Sequence, residues 1–437
     1  MAATLGFRVS RGVLSTISPP IPQAYQWATR YTPTPTRPLL DMSQGVPGIP
    51  PPQEVQDALG VAASSPTSFG YSRWDGEPAL RKALVGEMKV MYGQEADVHV
   101  DDIALTAGCN LAFVATVMSL ADAGDEVVLP VPWYFNHQMS LNLLGIKVIP
   151  LHTLPEDGFT PSVDRCRMLI TPTTKAIVLV TPNNPTGATY SPSLLAAFAN
   201  LAREKNVALI VDETYRDFVM SVLPPHNLFS PSEPAWRQNF IHLFSFSKSY
   251  CLPGHRLGAI AASPVLLTSI KTVLDCLQIC PPRPVQLALA PLLSSLRIFV
   301  QHTAKAVDVR HLLFKQSLPP NWRIGAQGGY FAFVRHPYVR VSARDVSRRL
   351  AVQMGVVTLP SAFFCEEERR EQVEDEESEG AVEKWDGLES EKAVEEDERW
   401  IRFSVANVDD DKVRRVCERL GESEQVFGWE LDAVSTS

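Results

Sequence analysis

Two short runs constrain this chain more than anything else in it. Ala176-Ile-Val-Leu-Val180 and Val207-Ala-Leu-Ile-Val211 are apolar without interruption and of strand length. A strand with no polar face must be covered on both sides, which is the condition of a parallel strand inside an α/β sheet. Ile103–Thr106, Glu126–Leu129, Lys147–Leu151 and Phe240–Phe244 read as further strands, and helix-like stretches such as Leu111–Leu120 fall between them. Strands alternating with helices predict a doubly wound, mostly parallel α/β sheet. In such sheets ligands bind beyond the carboxyl ends of the strands. The runs here end in Thr181-Pro-Asn183-Asn184-Pro-Thr-Gly187, in Asp212-Glu-Thr-Tyr215 and in Ser245-Phe-Ser247-Lys248.

Those endings carry chemistry. A lysine can attack a carbonyl to form a Schiff base, and it does so more readily beside another cation that strips its proton. Lys248 has Ser245 and Ser247 just before it and Arg256 eight residues after it, a set able to hold a phosphate. The stretch therefore suggests a lysine carrying a phosphorylated aldehyde. Ile103-Ala-Leu-Thr106-Ala-Gly108-Cys109-Asn110 reads as strand, glycine turn and helix start, which offers backbone N–H groups and a positive dipole end to the same phosphate. Asp212, ionised at a strand end, needs a partner, and so does an arginine in the apolar stretch Arg399-Trp400-Ile401-Arg402-Phe403. Arg402 is the better choice for binding an anion, because Arg399 borders an acidic segment.

The order and spacing of these stretches resemble the fold-type I pyridoxal-phosphate (PLP) enzymes of aminotransferase class I/II. The signature S-x-S-K-x-x-x-x-x-G-x-R-x-G is met at Ser245, Ser247, Lys248, Gly254, Arg256 and Gly258, and N-P-T-G at Asn184–Gly187. Tyr71 through Gly76 to Leu80-Arg81, Gly328-Gly329-Tyr330-Phe331, and Val356 through Pro360 to Phe363 resemble further family segments, with Ser361 in place of the usual glycine. The resemblance implies a large domain (53–300) with a mixed, mostly parallel seven-stranded sheet. It also implies a smaller α+β domain (301–437), to which an N-terminal arm (1–52) contributes. Lys248 would hold PLP as a Schiff base and move the Cα proton. Asp212 would face the ring nitrogen, Asn184 and Tyr215 its O3′, and Tyr134 would stack on the ring, with Trp133 as competitor. Gly108, Cys109, Asn110, Ser245, Ser247 and Arg256 would hold the phosphate, joined by Tyr71 from the neighbouring subunit of a homodimer. Gly45, Asn184 and Arg402 would meet the substrate carboxylate, and Arg283, read as lying in a loop, would reach a substrate side chain from the other subunit or lie on the surface. The implied reaction moves an amino group between an amino acid and a 2-oxo acid. Carbon–sulfur β-elimination is the enzymatic alternative, and a ligand-sensing or scaffold pseudo-aminotransferase the non-enzymatic one.

Charge and composition limit the other possibilities. Of a net charge of −9 over 437 residues, residues 366–398 alone carry −13, which predicts a solvated, disordered insertion and leaves the remainder near neutral. No polybasic block points to nucleic acid, and no apolar run approaches the roughly 18 residues that span a bilayer. The 7 cysteines are scattered and odd in number, which suits reduced thiols and a cytoplasmic protein, and the pair Cys276 and Cys280 has no companions to complete a metal site. The first 30 residues hold Arg8, Arg11 and Arg30 and no acid, a faint likeness to a transit peptide, but Pro19, Pro20 and Pro22 are expected to break any helix there. Seven prolines between residues 32 and 53 predict an extended arm.

Overall fold

The computed structural model describes residues 6–219, 224–231, 236–366 and 396–432. Most of the acidic insertion, 367–395, lies outside the described residues. A seven-stranded sheet is built from Ile103–Thr106 (β1), Glu126–Val131 (β2), Lys147–His152 (β3), Thr174–Val180 (β4), Ala208–Asp212 (β5), Phe240–Ser245 (β6) and Gly258–Ala261 (β7). Their order is β1-β7-β6-β5-β4-β2-β3. All neighbours run parallel except β7, which is antiparallel to both β1 and β6.

The two apolar runs explain why this sheet is a central layer. Ile177 and Leu179 of β4 join Leu209 and Val211 of β5 in one core. Ala176 and Val178 join Ile210 in a second core on the opposite face. Alternate side chains point to opposite faces, so an unbroken apolar run feeds both. The alternation has a consequence at the carboxyl end of β5. Asp212 faces one side, and Glu213 is buried on the other among Tyr92, His226 and His242, with both imidazole Nε2 atoms within 3.1 Å of its carboxylate. Burial pushes the Glu213 carboxyl up, but the two histidines outweigh it and hold it well below the usual carboxylate range.

A second, four-stranded sheet has the order β10-β11-β9-β8, from Arg323–Gly328 (β8), Phe331–Arg335 (β9), Leu359–Pro360 (β10) and Trp400–Ser404 (β11). The helices Arg297–Ser317 and Asp410–Val426 cover it, giving a core around Phe314, Trp322, Val334, Ile401, Phe403 and Leu420. Leu40 and Met42 of the arm are buried in the same core, and Leu40–Asp41 pairs in parallel with Val356–Val357. Ser361 opens a short 3₁₀ turn and does not take a left-handed conformation, so the serine brings no backbone strain.

The N-terminal prolines correct one expectation. Pro20–Ala28 is a helix that Pro20 begins, not one that the prolines break. A first-turn N–H has no intrahelical partner, so proline costs nothing there and its fixed φ suits the turn. Ala24, Trp27 and Ala28, at helical spacing, are buried against Phe135, Phe363 and Phe364, with the Trp27 and Phe363 rings stacked at 5.9 Å.

Candidate active site

Beyond the carboxyl ends of β4, β5 and β6 lies a cavity of about 310 Å³. Its walls bring together Gly45, Cys109, Asn110, Tyr134, Asn184, Asp212, Tyr215, Ser245, Ser247, Lys248, Arg256 and Arg402. These residues span more than 350 positions of the chain, and each was singled out by its sequence context.

One end of the cavity is built for an anion. Gly108, at φ +88°, caps the helix Cys109–Met118, whose first N–H groups have no intrahelical partner and whose Cys109 and Asn110 line the cavity. A Cβ on Gly108 would lie 2.1 Å from Nη2 of Arg256, so only glycine lets that guanidinium close on the helix start. Gly258 is equally constrained, since its Cβ would stand 2.6 Å from the Cys109 nitrogen. Across the gap Ser247 N donates to Ser245 Oγ at 3.2 Å. Arg256 and Asn110 are exposed in the single chain, so this end is open on one side.

Asp212 marks another side. Its Oδ1 accepts from Thr214 N at 3.0 Å, and its Oδ2 lies 3.3 Å from Nε2 of the buried His137. Burial pushes the carboxyl up, but His137 and Thr214 together hold it below the usual carboxylate range. An ionised, buried carboxylate that lines a cavity suits a protonated ring nitrogen. His137 escaped the sequence reading. It sits three residues after Tyr134 on the helix Phe135–Leu143, and its ring stacks on Phe113 at 3.9 Å. Its only sequence signal is that helical offset from the candidate ring-stacking tyrosine.

Lys248 lies between these groups, in the turn after β6, and its Nζ donates to Gly45 O. Burial, then the guanidinia of Arg256 and Arg402, lower its pKa from 10.5 to about 8. At the far side Arg402, on β11, is buried. Its Nη1 donates to Asn184 Oδ1 at 2.9 Å, Nη2 donates to Ser43 O, and Phe331 and Phe364 flank the guanidinium at 4.7 and 5.1 Å. Burial lowers its pKa to about 10, and its Nε has no partner among the described residues. A buried cation with a free donor is a natural carboxylate receptor. Arg399 is elsewhere. It closes the 3₁₀ turn Glu396–Arg399 just before β11, pairs with Asp432 at 2.9 Å and donates to His336 O and Tyr338 O.

Other candidates fall outside the cavity. Tyr71 is exposed and lines no part of it. Trp133 is buried beside Tyr134 in sequence but does not reach it, which leaves Tyr134 as the aromatic wall. Arg283 is not in a loop: it opens the helix Arg283–Leu289, held by Glu77 at 2.6 Å and by Gly70 O at 3.2 Å. Ile21, Gln44, Val46, Phe135, Asn136, Val180 and Thr214 also line the cavity without having been singled out.

PLP fits this donor set. The glycine-floored cradle that a Cβ would fill accepts a phosphate, Asp212 can face a protonated ring nitrogen, and Lys248 offers an amine that deprotonates readily. The comparisons with known proteins agree. The family model for aminotransferase class I and II matches residues 37–420. An aromatic aminotransferase of Arabidopsis thaliana is 29% identical over 330 residues, covering 74% of this chain and 81% of the relative. An aspartate/prephenate aminotransferase of Thermus thermophilus is 29% identical over 332 residues, 75% of this chain and 84% of that one. A solved aspartate aminotransferase of Thermus thermophilus superposes with a TM-score of 0.79 at 24% identity, covering 95% of this chain and 99% of that chain. With the fold, the cradle and a family match over most of its length, the chain belongs to the class I and II aminotransferases, enzymes that move amino groups with pyridoxal phosphate as cofactor.

Proposed function

We propose that Lys248 is the catalytic base, that Asp212, Asn184, Tyr215 and Tyr134 hold the cofactor ring, and that Gly108, Cys109, Asn110, Ser245, Ser247 and Arg256 hold its phosphate. When bound, the cofactor supplies an aldehyde that joins an amine and a ring that accepts the electrons left as the Cα proton departs. Everything else falls to the chain. Asp212, kept ionised by His137 and Thr214, keeps a positive ring nitrogen favourable. Arg402 and Asn184 fix the substrate α-carboxylate, with Gly45 closing over it. Lys248 Nζ, with its lowered pKa, takes the Cα proton near neutral pH and holds it for return at a neighbouring carbon. Such a return leaves a 2-oxo acid after hydrolysis, and the reverse sequence loads the amino group onto a second 2-oxo acid.

The observation that carries this reading is the convergence of Lys248, Asp212 and Arg402 on one cavity of about 310 Å³. The test is the absorbance spectrum of the purified protein, alone and with a panel of amino acids, beside Lys248→Ala. Loss of the visible lysine-bound band with stoichiometric release of 2-oxo acid is expected. Accumulation of pyruvate and a thiol from a cysteine conjugate would assign a lyase instead, and a protein without the band even after added PLP would refute the site.

We further propose a homodimer with shared sites, supported by the exposure of Arg256, Asn110 and Tyr71 in the single chain. The division into an arm (1–52), a large domain (53–300) and a small domain (301–437) draws support from two cores that stay within it, one around Phe314, Ile401 and Leu420 and one around Phe113, Ile210 and Ile260. A cytoplasmic location suits seven thiols that are free of disulfides. No described helix is long and apolar enough to cross a membrane.

A further inference from the structure

The lining of the cavity can be divided by what each residue is already occupied with. Cys109, Asn110, Ser245, Ser247 and Arg256 surround the anion end, and Asp212, Thr214, Val180, Tyr215 and Tyr134 lie around the ring position. Lys248 stands between, and Arg402, Asn184 and Gly45 form the carboxylate end. The residues left over are Ile21, Gln44, Val46, Phe135 and Asn136, and none of them ionises.

These five come from three neighbouring places, the arm helix, the arm segment after it and the start of the helix Phe135–Leu143. Ile21 belongs to the arm helix, where it packs with Tyr134 against the cluster of Phe135, Phe363 and Phe364. Gln44 and Val46 flank Gly45 in the arm segment that follows. Gln44 is not a free polar group: its Nε2 donates to Tyr25 Oη at 2.6 Å, and that hydroxyl donates to Asp41 Oδ2 at 2.6 Å. Asp41 Oδ1 in turn accepts from Ser43 N and Ser43 Oγ, and Ser43 O holds Arg402. The arm thus sets its share of the remaining wall, Ile21, Gln44 and Val46, together with the carboxylate clamp, and Phe135 and Asn136 complete the wall from the helix Phe135–Leu143. The cations that do line the cavity, Lys248, Arg256 and Arg402, all have other work. Among the described residues, the arginines nearest Tyr71 are already paired, Arg73 with Asp75 at 3.0 Å and Arg283 with Glu77 at 2.6 Å.

Resting on the assignment of Lys248 and Arg402 above, we propose that this wall of Ile21, Gln44, Val46 and Phe135 receives the substrate side chain. The enzyme then takes amino acids with uncharged, apolar or aromatic side chains and rejects dicarboxylic ones. A side-chain carboxylate placed there would lose water against Ile21, Val46 and Phe135 with no cation in return, a loss that selects against it by roughly a hundred-fold or more. An apolar side chain gains by the same contact.

The experiment measures kcat/KM of the holoenzyme for leucine, methionine, phenylalanine, aspartate and glutamate with one fixed 2-oxo acid, before and after Ile21→Arg. The wild type is expected to favour the best neutral substrate over aspartate and glutamate by at least roughly a hundred-fold. Ile21→Arg is expected to shift that ratio at least roughly ten-fold toward the acids. Gln44→Lys, in the same wall, is read alongside in case Ile21→Arg unfolds the arm helix. A ratio of substrates is unaffected by a loss of folded enzyme. Aspartate or glutamate used within ten-fold of the best neutral substrate, or a ratio that neither variant moves, overturns the inference and leaves the catalytic assignment standing. A chain that binds no PLP at Lys248 overturns both.

Discussion

The lysine makes the most quantitative prediction. Burial and two guanidinia bring its pKa from 10.5 to about 8 in the apoprotein. At pH 7 roughly one amine in ten is then neutral, about 300 times the fraction in an unperturbed lysine. Capture of PLP by apoprotein, followed by absorbance across pH, is expected to show an inflection near 8. Arg402→Gln removes one of the two cations without touching the phosphate cradle and is expected to move the inflection to higher pH. The same shift has a stability consequence. A lysine whose folded pKa lies below its unfolded one disfavours the native state fully below pH 8, and the penalty is relieved as pH rises from 8 toward 10.5. Lys248→Met should therefore stabilise the apoprotein at pH 7 by up to about 3 kcal/mol, and the gain should vanish above pH 10.5. An inflection near 10 in the wild type, or no stabilisation by Lys248→Met at pH 7, would show that the cavity does not perturb the amine and refute the reasoning.

Three further perturbations follow from the geometry. Gly108→Ala puts a Cβ 2.1 Å from Arg256 Nη2 at φ +88°, and the displaced guanidinium should weaken PLP binding by about 1.5–3 kcal/mol, read by titrating apoprotein; an unchanged affinity would contradict the cradle. His137→Phe removes the group that most lowers the Asp212 pKa, so the acid limb of the kcat profile should move to higher pH, and a limb that stays in place would mean His137 does not act on Asp212. Glu213→Leu leaves Tyr92, His226 and His242 without their shared acceptor, and should cost about 3–5 kcal/mol in urea unfolding, whereas a loss below about 1 kcal/mol would make the cluster incidental.

The central sheet was legible because the runs Ala176–Val180 and Val207–Val211, which supply most of β4 and β5, are apolar at every position, a pattern that only burial on both faces explains. Lys248, Asp212 and Asn184 were legible for a related reason: each follows a strand whose end could be read, so topology alone gathers them. Arg402 could be told from Arg399 only by weak neighbourhood arguments; the structure puts Arg402 on β11 at the cavity and Arg399 in the 3₁₀ turn before it, paired with Asp432. His137 was hidden because its partner lies 75 positions away across two strands, a distance no local pattern encodes. The helix at Pro20 was misread because proline reports opposite things in the first turn and in the interior. Ile21 and Gln44 were invisible as lining for the same reason, since their place depends on how that helix docks.

The parallel pairing of Leu40–Asp41 with Val356–Val357 has a consequence in time as well as in space. Synthesis runs from the amino end, so the segment bearing Gly45 leaves the ribosome some 300 residues before the strand that anchors it exists. Arg402 comes later still, on the far side of the acidic insertion. A nascent chain can complete the sheet by Ala261, with the proposed phosphate cradle already in it, while the substrate end remains unmade. Cofactor capture and substrate selection are therefore separable events in the birth of the enzyme, and the second awaits the return of its earliest residues to its last strand.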